Sequence, residues 1–372
     1  MASSNKMKIL LLGEYSNVHW TLAQGLRSLG HEVTVASNGD FWKNIPRDIS
    51  VVRHGYGMFD TLRYVVAVKR ALRRMKGYDV VQIINPLFLE MKAERIRPIY
   101  KYLRNNNKKV FMGAYGMDYY WVTTCRDCHT FRYSDFNFGS HLRTDDIAMR
   151  DAADWLDTEK GKLNREIAAD CDGIIAGLYE YYACYHPHFP EKTTFIPFPI
   201  NTDEIKRVSP AVSDKVRFFI GIQRTRSRYK GTDVMLRALE RVVAEHPDRC
   251  EISMAESVPY PQYCSMLDSS QVLLDQLYSY TPAMNGLLAM AKGMVLVGGG
   301  EEENYEILGE KELRPIINVL PDENNVYERL TNLALHPEMI SRLQADSRLY
   351  IERHHDYHLV AQQYIDFWTK NG

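Results

Sequence analysis

The sequence predicts an α/β protein built from two doubly wound parallel-sheet domains that face a cleft. Two observations support this prediction. A strand, a glycine turn, a helix, a second glycine and another strand open the chain within about 30 residues, which is the pattern of parallel strands joined by a crossover helix. A second alternating run begins after residue 200, so the 372-residue chain divides into two halves of ordinary domain size. Ligands of such sheets bind beyond the carboxyl ends of the strands, which would place one in the cleft.

The first half alternates between apolar runs and amphipathic stretches. A buried strand ends at Gly13, and Gly30 stands where a glycine closes a helix. The predicted elements are strands at 7–12, 32–36, 80–84, 109–112 and 173–176, and helices at 18–29 and 88–103.

The alternation of predicted strands and helices is interrupted near residue 200. Phe195–Ile200 contains two prolines and no helical period, so it predicts an extended linker. The elements predicted after it are strands at 216–220, 250–255, 272–274 and 294–297, and helices at 231–245 and 287–292.

The composition is that of an ordinary globular protein, with 45% hydrophobic and 25% charged residues. No stretch reaches about 18 uninterrupted apolar residues, and the short polar N-terminus lacks the pattern of a signal peptide. Six cysteines are too few for a disulfide scaffold. These features predict a cytoplasmic protein with reduced thiols.

Charge is distributed unevenly. Residues 1–110 carry 19 Lys and Arg against 8 Asp and Glu, although the whole chain has a net charge of −1. The basic residues fall in two predicted helical stretches: Arg63, Lys69, Arg70, Arg73, Arg74 and Lys76, then Lys92, Arg95, Arg97, Lys101, Arg104, Lys108 and Lys109. Two interpretations stay open, solvated helix faces or contact with an anionic surface, for which the inner leaflet of a membrane is favoured. Nucleic acid is disfavoured because no nucleic-acid motif accompanies the charge.

The loop after the first strand runs from Gly13 to His19. It is not Gly-x-Gly-x-x-Gly, which counts against a nicotinamide or flavin enzyme. The loop still opens a helix, and helix N-termini attract anions, so Gly13, Asn17 and His19 are candidate ligand-binding residues. The alternative is that Ser16 or Asn17 only caps the helix.

A cluster of basic residues follows the first predicted strand of the second half. Residues 221–232 contain Arg224, Arg226, Arg228 and Lys230, with a glycine at each end of the basic run. Arginine offers paired donors and lysine a point charge, so this loop is suited to a diphosphate. An exposed loop that is basic by chance is the alternative.

These features together resemble the glycosyltransferases of GT-B architecture, close to the family-4 group. The resemblance covers nearly the whole chain, with matching pieces in the same order. They are Gly30-His31-Glu32-Val33, Gly116-Met117-Asp118, the stretch from Ile196-Pro197 to Asp203, the loop from Arg224 to Gly231, Asp275-Gln276-Leu277, Ala289-Met290-Ala291-Lys292-Gly293, and Arg353-His354-His355-Asp356.

The resemblance implies two Rossmann-like domains, each of which binds a different substrate. Residues 1–196 would bind the acceptor, 197–350 would bind a nucleotide-diphosphate sugar as co-substrate, and 351–372 would form a helix that crosses back to the first domain. The implied reaction is hexosyl transfer to a saccharide or lipid-linked acceptor in polysaccharide biosynthesis. No cofactor or metal is implied, because Arg224 and Lys230 would neutralise the departing diphosphate. Asp118 and His19 are the implied polar groups near the acceptor hydroxyl.

One departure from the family pattern concerns its Glu-x7-Glu pair, whose positions are occupied here by Tyr280 and Leu288. Asn285, Tyr280 and Glu306 are the candidates for the sugar and ribose contacts that the glutamates would make. The loss leaves two alternatives to a transferase open: a nucleotide-sugar epimerase of the same fold, and a binding protein without turnover. The neighbouring Glu301–Glu303 stretch is interpreted as a solvated acidic loop.

The cysteines give one weak metal signal. Cys125, Cys128 and His129 form a Cys-x-x-Cys with an adjacent histidine, but no second pair follows at zinc-ligand spacing. Reduced thiols without a metal are the favoured interpretation.

Overall fold

The computed structural model describes residues 6–208, 214–223, 227–256 and 258–370. The chain forms two compact units. The first unit contains Met1–Thr124, Arg150–Pro199 and Tyr357–Gly372, and the second contains Cys125–Met149 and Ile200–Asp356. The chain therefore passes from one unit to the other four times.

The strands are β1 (Lys8–Leu12), β2 (Glu32–Ser37), β3 (Ile49–Ser50), β4 (Val80–Ile83), β5 (Lys109–Ala114), β6 (Asn137–Phe138), β7 (His141–Leu142), β8 (Gly173–Ala176), β9 (Thr193–Phe195), β10 (Val216–Ile222), β11 (Cys250–Glu256), β12 (Val272–Leu274), β13 (Val295–Gly298) and β14 (Ile317–Asn318). The helices are α1 (Val18–Ser28), α2 (Met58–Leu72), α3 (Ala93–Asn106), α4 (Tyr119–Cys125), α5 (Asp146–Trp155), α6 (Glu159–Asp170), α7 (Tyr179–Tyr185), α8 (Ser227–Lys230), α9 (Thr232–Glu245), α10 (Tyr260–Asp268), α11 (Met284–Ala291), α12 (Glu302–Leu308), α13 (Glu323–Leu335), α14 (Glu338–His354) and α15 (Tyr357–Lys370).

The first unit is built on a parallel sheet in the order β3-β2-β1-β4-β5-β8-β9. Its central strand β1 is apolar almost throughout, and Ile9–Leu12 is completely buried because both faces of the sheet are covered. The stretch predicted as a linker begins inside β9, which pairs with β8 at the edge of the sheet.

The first unit also includes the last helix of the chain. Helix α15 packs against α1, where a β-carbon on Gly25 would lie 2.3 Å from the Tyr357 carbonyl oxygen. Only glycine allows the two helices to approach this closely. On β5, the Phe111 ring meets the Phe367 and Trp368 rings of α15 at centroid distances of 5.7 and 6.2 Å.

The second unit is built on a parallel sheet in the order β11-β10-β12-β13-β14. Its core lies between the sheet and helices α9 and α13, with Phe218, Leu239 and Leu330 among the fully buried side chains. Two parallel sheets with flanking helices confirm the predicted α/β class. Among the described residues, no helix has the length and apolar character needed to cross a lipid bilayer.

The segment 125–149 differs from the domain boundaries expected from the sequence, which place it in the first domain. It belongs to the second unit, and its β6-β7 pair forms a small antiparallel ribbon there. The reason is side-chain pairing with residues more than 80 positions later, which is described below.

Candidate functional site

The strand order of the second unit reverses between β10 and β12. In doubly wound sheets, ligands bind beyond the carboxyl ends of the strands at such a reversal. The loop predicted to bind phosphate leaves β10 at this edge of the sheet, and Asp275 follows β12 at the same edge. The reversal therefore marks the candidate donor site of this unit.

The basic loop is anchored to the chain that leaves β12. The carbonyl oxygen of Lys230 accepts a hydrogen bond of 2.8 Å from the backbone N–H of Leu277. Lys230 is half-buried on α8 and Arg228 is exposed, while Arg224 and Arg226 lie outside the described residues. The two described cations of the loop are thus held at the reversal point.

Gly231 makes the turn from this loop into α9. Its φ of +72° lies in the left-handed region, and a β-carbon there would lie 2.6 Å from Cβ of Leu277. A larger residue would therefore be strained and would push Lys230 away from the chain that follows β12.

A hydrogen-bonded cluster lies beside the loop. Asn285 of α11 donates through Nδ2 to the Asp275 carboxylate at 2.9 Å, and its Oδ1 accepts from the Tyr263 hydroxyl at 3.2 Å. Asp275 is 8% exposed. One Nδ2 hydrogen and one Oδ1 lone pair of Asn285 are not used by these two bonds and could serve a sugar hydroxyl. Asp275 belongs to the Asp275-Gln276-Leu277 piece of the resemblance, whereas its hydrogen bond with Asn285 was not predicted.

The segment 125–149 meets the second unit at α12. The Arg132 guanidinium contacts Glu303 at 2.5 Å and Glu301 at 3.0 Å, and the Tyr133 hydroxyl donates to Glu301 at 2.5 Å. Glu301 and Glu303 are therefore not the solvated acidic loop expected from the sequence. Because Arg132 and Glu301 are 169 positions apart, nothing in the local sequence signals this pairing.

Tyr280 packs beneath the same segment, with only 2% of its surface exposed. Its ring lies 5.6 Å from that of Phe131 and 5.0 Å from that of Tyr133, centroid to centroid. The expectation that Tyr280 stacks on a sugar is therefore not met in this structure, because protein rings occupy its surroundings. Glu306, the other substitute considered for the missing glutamates, is exposed on α12.

A further residue of the segment supports the basic loop. Arg143 donates to the carbonyl oxygen of Arg228 at 3.1 Å, and its guanidinium lies 4.7 Å from the centre of the Tyr278 ring. On the other side of the loop, the Tyr229 hydroxyl donates to Asp135 at 2.5 Å. The segment thus supports the helix that carries Lys230, a role that sequence analysis missed.

In the first unit the strand order reverses between β1 and β4. Gly13 and Glu14 follow β1 there, and Asn85 follows β4. A β-carbon on Gly13 would lie 2.2 Å from Cγ2 of Ile84, so this position requires glycine for packing. That role is structural and accounts for Gly13 without a ligand.

The start of α1 is closed by a carboxylate. Glu14 accepts from the backbone N–H of His19 at 3.2 Å and of Trp20 at 2.9 Å, and the N–H of Val18 donates to the carbonyl oxygen of Tyr15. The free amides of the first turn are therefore already used, and the expected anion site at this helix is filled by the protein. Asn17 is exposed and makes no side-chain cap.

Two buried polar groups remain near this reversal. His19 is fully buried, and its Nδ1 lies 2.8 Å from the Gly13 carbonyl oxygen. Within the described part of the chain, His19 Nε2 and Asn85 Nδ2 have no hydrogen-bond partner. A β-carbon on Gly116 would lie 3.9 Å from Asn85 Nδ2, so the loops after β4 and β5 are neighbours.

Burial controls ionisation around the same loop. It raises the pKa of Glu14 to about 8, although the amides of Trp20 and His19 oppose the shift, and it lowers the pKa of His19 to about 3. His19 is therefore a neutral imidazole at pH 7. A neutral imidazole with a bond at Nδ1 can act at Nε2 as a proton acceptor.

Asp118 has a supporting role in the first unit. It is fully buried, and its carboxylate accepts from the Trp121 backbone N–H at 3.0 Å and from the Tyr185 hydroxyl at 2.5 Å. Asn164 donates to the same hydroxyl at 2.9 Å. Burial raises the pKa of Asp118 to about 6 against these hydrogen bonds. Direct contact with an acceptor hydroxyl is therefore less suited to Asp118 than to His19.

The cysteine signal finds no support as a metal site. Cys125 is buried and Cys128 is half-buried, and neither belongs to a disulfide. Among the described residues, no group of three or more His, Cys, Asp or Glu side chains is arranged to hold a metal ion.

Comparisons with known proteins match the architecture. No protein-family model matches the sequence, and no curated protein matches it. Solved structures do match over nearly the full length. Sucrose-phosphate synthase from Thermosynechococcus elongatus has a TM-score of 0.65 and 14% identity, over 98% of each chain.

Two further matches were solved with ligands. HepE of Anabaena, in complex with UDP and glucose, has a TM-score of 0.61 and 11% identity over 98% of this chain and 99% of its own. The catalytic domain of starch synthase IV from Arabidopsis thaliana, bound to ADP and acarbose, has a TM-score of 0.59 and 11% identity over 99% of each chain. The chain has the GT-B fold. The architecture that the sequence motifs predict is thus confirmed.

Proposed function

We propose that this protein is a metal-independent glycosyltransferase that moves a hexose from a nucleotide-diphosphate sugar to a saccharide or lipid-linked acceptor in polysaccharide biosynthesis. The second unit binds the donor and the first unit binds the acceptor. The proposal rests mainly on one observation. At the strand reversal of the second unit, the basic loop that carries Lys230 lies next to the hydrogen-bonded pair Asp275 and Asn285. The Leu277 N–H donates to the Lys230 carbonyl oxygen and links the two.

The cations of the loop neutralise the charge that develops on the leaving diphosphate. Lys230 and Arg228 act together with Arg224 and Arg226 of the same basic run. Such cations stabilise the transition state because they are already oriented when the sugar–phosphate bond breaks, and they do the work that a divalent ion does in other phosphate sites.

Asn285 and Glu306 provide hydrogen bonds to the sugar and ribose hydroxyls. Asn285 is held by Asp275 and Tyr263, so its remaining donor and acceptor have a fixed direction. On the acceptor side, the neutral His19 uses Nε2 to receive a hydrogen bond from the acceptor hydroxyl, and Asp118 holds the neighbouring α4 through Trp121.

The protein works in the cytoplasm, and a lipid-linked acceptor is met at the inner leaflet of a membrane. The excess of Lys and Arg over residues 1–110 supports this location.

Release of nucleoside diphosphate from a panel of nucleotide sugars tests the proposal. UDP-, ADP- and GDP-sugars are incubated with the protein, with and without oligosaccharide acceptors, and the UDP and ADP complexes of the structural neighbours make these two nucleotides the first choice. Nucleoside diphosphate release that rises with an acceptor is expected. Binding without release, or an epimerised sugar as the product, would refute a transferase.

A further inference from the structure

The outer face of α2 is half apolar and half basic. Tyr64, Val68 and Ala71 turn inward and are buried, while Met58 and Phe59 at the start of the helix are 81% and 79% exposed. Two more apolar side chains on this face, Leu62 and Val66, are 62% and 39% exposed. Large apolar side chains clustered on one exposed helix face indicate a binding surface rather than a solvated one.

The basic half lies on the same face. At 3.6 residues per turn, Arg63, Lys69, Arg70 and Arg73 fall on the same arc of about 140° as the four apolar side chains. Within the described part of the chain, none of these four makes an ion pair. On the adjacent α3 the situation differs, because Arg97 pairs with Glu159 and Glu166.

A groove of 810 Å³ runs beside this face, between α2 and α3. Its walls are mainly aliphatic, and they include Leu62, Val65, Leu72, Pro98 and Ile99. Lys69 and Arg95 also line it, together with the single carboxylate of Glu94. An apolar channel beside exposed cations matches an amphiphile with an anionic head and a hydrocarbon tail.

We propose that the outer face of α2 and the adjoining groove dock onto an anionic lipid bilayer, with Met58, Phe59, Leu62 and Val66 entering the acyl boundary and the four basic side chains contacting lipid phosphates. Along α2 the four apolar side chains lie at positions 58–66, and three of the four cations follow at positions 69–73. Membrane affinity grows with the apolar area that is buried and with the attraction of cations to anionic lipids, and this surface offers both. The inference rests on the proposed function for its location only, and it does not depend on the donor site.

Charge decides between this occupant and a second copy of the chain. A two-fold contact would gather Arg63, Lys69, Arg70 and Arg73 of both copies, eight cations in all, in one interface, and the excess of like charge opposes such a dimer. A polyanion without apolar groups, such as nucleic acid, would leave Met58 exposed. A bilayer with anionic headgroups satisfies both halves of the face.

Vesicle co-sedimentation of the full chain tests the proposal. The vesicles are phosphatidylcholine alone or phosphatidylcholine with 30% phosphatidylglycerol, and each is used at low and high salt. We expect binding to the anionic vesicles only, weakened by salt because screening shortens the reach of the charges. Arg70→Gln/Arg73→Gln should lower the partition coefficient about 25-fold, at roughly fivefold for each charge removed.

Phe59→Ser/Leu62→Ser tests the apolar half, and we expect a loss of roughly tenfold for each side chain removed. The matched control is Arg329→Gln/Leu335→Ser, which changes one exposed basic and one exposed apolar residue of α13 in the second unit and should bind as the unmodified protein does. Hydrogen exchange of residues 58–72 in the unmodified protein should slow when anionic vesicles are added.

Several results would overturn the proposal. They are equal binding to neutral vesicles, no binding at low salt, unchanged exchange in α2, or a dimer that the α2 variants convert to monomers. Titration with UDP and ADP in the absence of vesicles separates this surface from the donor site. Vesicle binding without nucleotide binding would support the membrane-docking surface and would contradict the assignment of the donor site.

Discussion

The backbone N–H of Arg132 donates to the Tyr280 hydroxyl at 2.6 Å, and the Arg132 guanidinium lies 4.7 Å from the centre of the same ring. Tyr280 stands where the resemblance would place a donor-binding glutamate. In this chain Tyr280 instead packs against the segment 125–149 within the second unit. Under the proposed function the donor contacts come from other residues, and the predictions below address them.

Tyr280→Phe should lower stability without changing nucleotide affinity. The ring contacts remain, but the half-buried Arg132 N–H loses its acceptor, and such a hydrogen bond contributes about 0.5–1.5 kcal/mol to stability. Urea unfolding measures the loss, and calorimetric titration with UDP and ADP measures affinity. Tyr327→Phe is the matched control, since that hydroxyl bonds to Glu245 at the exposed surface. Normal stability together with weaker nucleotide binding would contradict this and would indicate that Tyr280 contacts the donor.

Lys230→Ala should weaken binding of nucleoside diphosphate by roughly ten- to a hundredfold, because a charge-assisted contact to phosphate is worth about 1.5–3 kcal/mol. Calorimetric titration gives the affinity, and the melting temperature without ligand checks the fold. Lys311→Ala, at an exposed lysine of the same unit, serves as the control. Unchanged affinity in an intact Lys230→Ala protein would remove the phosphate role of the loop.

Asn285→Ala and Glu306→Gln should each lower kcat/KM by about ten- to a hundredfold, since each removes a hydrogen bond to a sugar or ribose hydroxyl. The two variants differ in stability. Asn285 bridges Asp275 and Tyr263, so its loss should also lower the melting temperature, whereas Glu306 is exposed and its substitution should not. Steady-state kinetics with the best donor decide the matter. Normal kinetics in both variants would indicate a different donor pose.

The lowered pKa of His19 should make the free energy of unfolding depend on pH. The unfolded chain binds a proton at this side chain below its ordinary pKa of about 6.5, but the folded protein does so only below about 3. The contribution of His19 to the free energy of unfolding therefore falls by about 3 kcal/mol between pH 6.5 and pH 4, while the raised pKa values of Glu14 and Asp118 act in the opposite direction. His19→Asn keeps a donor for the Gly13 carbonyl oxygen and cannot titrate, so the difference in urea midpoint between the variant and the unmodified protein should shift in favour of the variant as the pH is lowered from 6.5 to 4.

The control for this experiment is His54→Asn, which removes an exposed histidine of the same unit. It should follow the unmodified protein at each pH. Parallel curves for His19→Asn and the unmodified protein would show that burial does not hold His19 neutral. Kinetics at pH 7 provide a second readout, since loss of a proton acceptor lowers kcat more than it changes KM for the donor.

Short apolar runs were sufficient to predict the central strands of both sheets, but not the edge strands β3, β9 and β14. The central strands are short apolar runs because both faces of each sheet are covered; they are β1, β4, β5, β10, β12 and β13. A run of this kind can be recognised from a few consecutive residues. The polar residues that follow such strands, including Asp275, can be found by the same local argument.

The segment 125–149 could not be assigned in this way. Arg132 meets Glu301 and Glu303, Tyr229 meets Asp135, and Arg143 meets the Arg228 carbonyl, across sequence separations of 85 to 171 residues. Ion pairs and hydrogen bonds over such distances in sequence have no period and no local motif. The closing of the α1 N-terminus by Glu14 was missed for another reason: the caps usually read from sequence are short side chains at the position just before the helix, and Glu14 acts from further upstream.

The packing of α15 onto α1 constrains how the protein can be made. The surfaces around Gly25 and Phe111 stay uncovered during translation until residues 357–370 have left the ribosome. The second unit emerges before that point, so it can complete its core first, against the usual N-terminal-first order of synthesis. Neither unit is a contiguous stretch of the gene, and an expression fragment that stops at residue 199 would expose the apolar wall that α15 covers.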